Sequence, residues 1–481
     1  MHVTPQEVVV HAPTCHAAET QGVDLVMRRM QNALVARGLV TTRVLAPPQD
    51  LTTGTLRLAL VRGRMRAVRF TPDSGARATA FNAVSLSPGD LINLRDIEQS
   101  LENFRRVPTV EATIDIIPAE PGPGQAPAQA GDSDLMVRWN QSFPARVQLS
   151  ADDSGTRATG RYQGSSTLYL DDPLQLNDLL SFTLQRDLGG GDAGSRGARG
   201  QAMNYSLPLG HWLVGLSASH NRYHQSVAGA TQDIVYSGAS SQGDIRLSRV
   251  VYRDAVRKTT MSLRGWLRKA YNFIDDTEVE VQRRRTAGWE LGVTHRDVIG
   301  PAGADLGLTW RRGTGAWGAL PAPEEDLGQG SSRPGILSAE ATLAAPLTLG
   351  AQRLRWNTGW RAQWSHTPVV PQDRFTIGGR YTVRGFDGES VLSAQRGWLL
   401  RNELAWICGS SAEVFLGLDH GEVGGAGVER LVGRRLTGAV AGLRGMAGPA
   451  SYEVFVGGPV RRPEGFRASS RVTGVSLSAA F

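Results

Sequence analysis

Residues 354–365 read Leu354-Arg355-Trp356-Asn357-Thr358-Gly359-Trp360-Arg361-Ala362-Gln363-Trp364-Ser365. Leu354, Trp356, Thr358, Trp360, Ala362 and Trp364 share one parity, and Arg355, Asn357, Gly359, Arg361, Gln363 and Ser365 share the other. Successive side chains of a strand point to opposite faces. One face therefore carries three tryptophans and the other two arginines. A soluble sandwich has to cover those tryptophans with a second sheet, whereas a barrel wall in lipid explains them alone. The same alternation recurs in Thr259–Ala270, where Met261, Leu263 and Leu267 oppose Ser262, Arg264 and Arg268. It recurs again at the end, where Val475, Leu477, Ala479 and Phe481 alternate with Gly474, Ser476, Ser478 and Ala480.

Working outward, about sixteen such segments follow the strand-and-hairpin rules. Their limits are close to 144–153, 160–170, 177–187, 197–206, 211–222, 241–251, 258–270, 284–296, 303–313, 336–345, 352–365, 395–406, 411–420, 432–444, 449–457 and 470–481. Membrane strands need about 9–11 residues, and an even strand number is the rule for single-chain bacterial barrels. The 57 glycines suit a many-turned β protein. Hydrophobic content is 41%, and no run approaches the roughly 20 apolar residues of a spanning helix. If the chain crosses a membrane, strands must do it, because only helices and closed barrels satisfy every backbone group in lipid.

Residues 1–141 follow a different plan. Val23, Val26, Met27, Met30, Ala33 and Leu34 form one apolar helical stripe over Val23–Arg37, which Gly38 ends. Strand-like runs follow at Leu39–Leu45, Thr55–Val61 and Met65–Phe70, with Arg62-Gly63 as the turn between the last two. The plan then repeats. Asn93 with Asp96 resembles a capping box, Leu94, Ile97, Leu101 and Phe104 make the stripe, and Val107-Pro108 closes the helix. Strands are expected at Thr109–Ile117 and Asp134–Asn140, separated by a Pro/Gly/Ala-rich loop from Pro118 to Ser133. These are two small α/β modules.

Net charge is +7, and all but Lys258 and Lys269 of the 52 basic residues are arginine. They are dispersed rather than gathered on one face, which speaks against nucleic acid. Composition bias and a wet, arginine-lined lumen both account for them. Cys15 and Cys408 are too far apart in sequence to suggest a framework or a metal site, and both are expected to be unpaired. No metal and no cofactor are expected. Gly189-Gly190-Gly191 lacks the lysine and Ser/Thr of a phosphate loop. His211, His220 and His224 read as polar-face residues, and His295, His366 and His420 lack catalytic neighbours in sequence, so no enzyme is expected. Met1-His2-Val3-Thr4-Pro5 has neither a basic start nor an apolar core. An exported protein needs both, so the chain as given is expected to lack its natural start.

One connection stands apart. About 28 residues separate the strands around Ser365 and Ala394, and loops this long are functional or disordered. They include Phe375-Thr376-Ile377-Gly378-Gly379-Arg380-Tyr381-Thr382-Val383-Arg384-Gly385-Phe386. Val383-Arg384-Gly385-Phe386 resembles the VRG[YF] loop tip of the two-partner secretion (TpsB) transporters, the exporters of filamentous haemagglutinin and haemolysin. Gly397-Trp398 with Arg401-Asn402-Glu403-Leu404 resembles that family's next strand. Phe415-Leu416-Gly417-Leu418-Asp419-His420-Gly421 resembles its DxG-bearing inner-wall strand, with Gly417 in place of a frequent aromatic. Asp153-Ser154-Gly155 with Thr159-Gly160 resembles the first barrel hairpin. Gly38 through Gln49-Asp50-Leu51, with Gly54 and Leu56, resembles the first POTRA module.

The resemblance implies a mainly β fold: a 16-stranded transmembrane antiparallel β-barrel preceded by two small α/β POTRA domains. The expected divisions are 1–70 for the first POTRA domain, 71–141 for the second, and 142–481 for the barrel with an inward-folded loop at 366–394. It implies that Arg384 pairs with Asp419, with Gly421 completing the DxG motif. It also implies an outer-membrane transporter, POTRA domains in the periplasm, that secretes a large β-helical exoprotein of haemolysin or adhesin type without ATP. Further expected partners are outer-membrane lipid and, through Phe481, the barrel-assembly machinery. A BamA-type assembly factor is the alternative; its usual larger number of POTRA domains argues against it.

Overall fold

The computed structural model describes residues 6–11, 20–50, 55–120, 128–229, 232–409 and 411–481. Cys15, Leu51, Gly54 and the centre of the Pro118–Ser133 loop lie outside them. The chain forms two compact units. One comprises Met1–Pro144 with Asp171–Asp178 and Leu207–Trp212; the other comprises Ala145–Leu170, Leu179–Ser206 and Leu213–Phe481.

The first unit holds two α/β modules. β1 (Gln6–His11), α1 (Thr20–Ala36), β2 (Arg43–Leu45) and β3 (Thr55–Val61) give a sheet of order β1-β3-β2. β4 (Arg64–Phe70), α2 (Leu94–Arg105), β5 (Val110–Pro118) and β6 (Asp132–Gln141) give a second sheet of order β4-β6-β5. Met65, Leu86, Ile92, Ile97 and Leu135 are buried together as its core. Asn93 caps α2 by accepting from the Arg95 N–H at 2.9 Å, the service an Ncap amide gives an orphan helix donor.

The expected boundary at 70/71 needs correction. β3 and β4 do not form a hairpin; β4 runs parallel to β6 and belongs to the second sheet. Gly63 is packed so closely on Thr41 that a Cβ there would overlap its side chain. The chain passes from one sheet to the next at this point. The division falls between Val61 and Arg64. Of the expected strand at Leu39–Leu45, only Arg43–Leu45 is extended, and β1 was not foreseen.

Asp171–Asp178 and Leu207–Trp212 belong to this unit through amide side chains. Asn82 Nδ2 donates to the Pro208 carbonyl at 3.0 Å and also to that of Leu176. Asn103 Nδ2 donates to Gly210 O at 2.7 Å and Ala83 O at 2.8 Å. Asn177 Nδ2 donates to Asn82 Oδ1 and Thr79 O, each at 3.1 Å. All three asparagines are buried, and buried amides are costly unless bonded in this way.

The second unit is a closed antiparallel barrel. Its wall strands are β7 (Ala145–Asp152), β8 (Tyr162–Asp171), β9 (Leu179–Gly189), β10 (Arg196–Leu209), β11 (Trp212–Ala228), β12 (Asp233–Arg253), β13 (Arg257–Ile274), β15 (Arg284–Ile299), β16 (Ala302–Thr314), β17 (Gly335–Leu349), β18 (Gln352–Ser365), β21 (Arg396–Cys408), β22 (Ala412–Gly424), β23 (Arg435–Ala447), β24 (Ala450–Arg461) and β25 (Val472–Ala480). These are the sixteen expected segments. A two-residue strand, β14 (Thr277–Glu278), extends the β13 hairpin, and β19 (Phe375–Ile377) pairs with β20 (Leu392–Ala394) inside the long connection. β25 closes on β7, from Ser476 opposite Asp152 to Ala480 opposite Gln148.

Alternation sorts the wall. Trp356, Trp364, Met261, Leu263 and Leu477 are exposed on the outside, while Arg355, Arg264 and Arg268 reach carboxylates on the inside. A lipid-facing outer wall and a wet inner wall demand this sorting. No helix among the described residues is long and apolar enough to cross a membrane.

Candidate functional site

The site is the connection from Ser365 to Arg396. The β19–β20 hairpin gives it a stiff stem, with Thr376 and Ser393 hydroxyls 3.0 Å apart across the pair. Ile377, Val383, Phe386 and Leu392 are buried with Leu399 of β21, Val423 of β22 and Leu436 of β23. Phe386 meets Phe466 edge-on, centroids 5.8 Å apart, a favoured aromatic geometry. The connection is thus packed on the inner surface of β21–β23. Gly385 has φ +94°, and a Cβ there would lie 2.5 Å from Gly458 O. Both the backbone hand and the lack of space require glycine at that point.

The turn at Gly385 aims Arg384 at the wall. Arg384 Nε donates to Asp419 Oδ2 at 2.8 Å and Nη2 to Oδ1 at 2.9 Å, while the Arg384 backbone N–H also donates to Oδ2 at 3.0 Å. The fork matches the carboxylate bidentately, as only guanidinium can. Asp419 is 1% exposed and Arg384 7%, so the pair is shielded rather than wet. Burial works against the Arg384 charge, and the two carboxylates around it outweigh burial and raise its pKa. Gly421 places the wall against the tip: a Cβ there would meet Ile377 and Val383, each at 3.0 Å. Gly417 makes the space for the guanidinium, since a Cβ would lie 2.6 Å from Arg384 Nη2.

Several participants were not singled out by sequence. Glu403, within the quoted Arg401–Leu404 run, accepts from Arg384 Nη1 at 2.7 Å through Oε2 and from Arg444 Nη2 at 2.7 Å through Oε1. Arg444 continues to Glu413, which also accepts from Arg355 at 2.6 Å. Arg384 therefore heads a charge ladder down the inner wall. Arg380 and Asp153 form a second anchor at the barrel seam. Asp153 Oδ1 accepts from Arg380 Nη1 at 2.9 Å and from the Val475 N–H of β25 at 2.8 Å. Farther along, Asp387 accepts from the Ser469 hydroxyl at 2.6 Å, and Glu389 from the Arg157 N–H at 2.8 Å. The tip is held at four places around the wall. Asp153 lay within a quoted motif, but no periodicity joins it to a loop more than 220 residues later.

Among the described residues no cluster of His, Cys, Asp or Glu has metal-binding geometry, and Cys408 is a free thiol. Phe481 closes the wall, exchanging backbone hydrogen bonds with Val147 at 2.9 and 3.0 Å, and its ring is exposed.

A family model described as haemolysin secretion/activation protein ShlB/FhaC/HecB matches residues 131–445. The chain belongs to this family. POTRA models match residues 10–63 and 64–118, in agreement with the division seen between the two sheets. The outer membrane transporter CdiB-2 of Burkholderia pseudomallei is 37% identical over 96% of this chain and 78% of its own length. The hemolysin transporter protein ShlB of Serratia marcescens is 24% identical over 80% of this chain and 66% of its own. CdiB from Acinetobacter baumannii superposes with a TM-score of 0.83 at 29% identity, covering 96% of this chain and 82% of that one. CdiB from Escherichia coli gives 0.86 at 25%, with 96% and 85% covered. The chain is therefore a two-partner secretion transporter of the outer membrane, with a β-barrel and two periplasmic POTRA domains.

Proposed function

We propose that this transporter exports one large β-helical exoprotein of haemolysin or adhesin type, and that the Arg384–Asp419 pair holds the long connection in the position export requires. The POTRA sheets capture the unfolded client in the periplasm. Sheet edges at β2 and β5 can add a client strand by main-chain pairing, which tolerates varied sequence. The barrel then conducts the extended chain, and client folding outside the cell supplies the drive in place of ATP. Phe481, exposed at the end of the last strand, is the feature the barrel-assembly machinery recognises, and the outer wall sits in outer-membrane lipid.

The observation that supports this reading most strongly is the shielded fork from the loop tip to the inner wall. The four anchors between the connection and the inner wall support a loop whose position matters for export. A BamA-type assembly factor is the second reading. BamA from Haemophilus ducreyi has a TM-score of 0.53 at 11% identity, a likeness of fold alone. The test is Arg384→Ala in a version carrying a signal peptide. Export predicts a heat-modifiable barrel still in the outer membrane with client secretion sharply reduced. Unchanged secretion removes Arg384 from the mechanism. A general loss of outer-membrane proteins favours the assembly reading.

A further inference from the structure

Away from the loop, the outer wall carries basic side chains where lipid should be. On β9, Phe182, Leu184, Arg186 and Leu188 share one parity, and Leu184 and Leu188 are more than 60% exposed. Arg199 of β10 lies directly opposite Arg186, two positions beyond Gln201 opposite Leu184 and four beyond Met203 opposite Phe182. Both arginines therefore leave the wall on its lipid side. Gly200 faces the other way, and its Cβ direction points at Asn221 Oδ1, 2.5 Å away. That contact brings β11 into register, so Arg222, next to Asn221, also points outward beside Arg199. Arg222 Nε donates to His220 Nε2 at 2.9 Å, and the other ring nitrogen of His220 bonds Ser241 Oγ at 2.9 Å.

Like charges directly opposite on a sheet repel. Each inner-wall arginine of the charge ladder has a carboxylate; Arg186, Arg199 and Arg222 have none in hydrogen-bond or ion-pair reach among the described residues. They line one external groove of about 730 Å³, with Leu149, Leu184 and Leu188 as its apolar part. Arg186 and Arg199 lie near the β9–β10 connection. β7 leaves the periplasmic modules, so by alternation this connection is on the cell-exterior rim. The groove thus joins apolar wall to a trio of cations at the height where acyl chains give way to headgroups.

We infer that the Arg186–Arg199–Arg222 groove binds the headgroup phosphate of an outer-leaflet lipid, whose acyl chains run towards the membrane centre over Leu184 and Phe182. A guanidinium fork takes phosphate oxygens bidentately. The anion relieves the repulsion between neighbouring arginines, and the apolar residues of the same groove favour a lipid over a free anion or an acidic peptide.

The test uses the full chain in detergent and native mass spectrometry with two probes, bisphosphorylated lipid A and the same lipid A stripped of both phosphates. The wild-type chain should bind the phosphorylated form at least tenfold more tightly. Arg186→Gln/Arg199→Gln/Arg222→Gln should lose that preference, and Arg186→Lys/Arg199→Lys/Arg222→Lys should keep most of it. Equal binding of the two lipids by the wild-type chain overturns the proposal without any variant having to fold. So does a heat-modifiable triple Gln variant that binds phosphorylated lipid A as tightly as the wild type.

Discussion

Arginine does opposite things on the two sides of this barrel. Between the long connection and β21–β23, Arg384, Arg444 and their carboxylates form a ladder in which each guanidinium has a partner. On the outside of β9–β11, Arg186, Arg199 and Arg222 stand together with no carboxylate in reach among the described residues. The inner set is shielded, and the energy of a shielded pair lies in its completeness. The outer set is incomplete, and its counter-charge has to come from elsewhere. Burial and pairing separate the two sets; residue type alone does not.

The sharpest way to break the comparison is to remove one inner carboxylate. Asp419→Ala leaves Arg384 with Glu403 as its remaining carboxylate in a shielded place, and the loss of one member of a buried pair costs up to about 3–5 kcal/mol. Pulse proteolysis of the 366–395 connection should show it released and secretion nearly lost; an unchanged connection would mean that the pair is ornamental. A smaller loss is expected for Gly417→Ala. Its methyl would meet Arg384 Nη2 at 2.6 Å, so secretion should fall several-fold with the barrel intact, and normal secretion would show that the guanidinium has room to shift. Asp153→Asn should do less. Asp153 is shielded but Arg380 is 17% exposed, so about 1 kcal/mol is expected, as for partly solvated pairs. Reduced protection of the Val475 amide in hydrogen exchange is the readout.

The smallest effect concerns pH and the first unit. Burial pushes Asp172 up to about 6, against the Asn177 N–H that favours the carboxylate, with nearby Asp178 pushing the same way as burial. The fold therefore favours the protonated acid. This contribution is complete below the ordinary carboxylate range and is lost as pH rises through about 6. Amides of Asp171–Asp178 should exchange more slowly at pH 5 than at pH 7.5, after correction for intrinsic rates, and Asp172→Asn should abolish the difference. Equal protection at both pH values would show that Asp172 is already well solvated.

Legibility in the sequence followed the solvent. Wherever a strand separates lipid from water its parity shows, and all sixteen wall strands were found. Their upper ends were not: β12 runs Asp233–Arg253, where alternation marked 241–251, and β13 runs on to Ile274. Above the membrane both faces meet water, and the pattern has no reason to persist. β4 was assigned to the wrong module because parallel pairing with β6 leaves no local signature. At the site, Val383–Phe386 and Asp419 stood out as motifs. Glu403, Arg380 and Asp153 acquire their meaning only when three distant segments meet.

The most direct test is a double-mutant cycle on the docked loop tip, read by hydrogen exchange at the Val383–Phe386 amides. The Arg384 N–H itself is bonded to Asp419. If the tip is fastened by this pair, Arg384→Ala, Asp419→Ala and the double variant should all lose nearly the same protection, the mark of coupled partners. Losses that simply add would contradict the account and leave the two residues as neighbours acting independently.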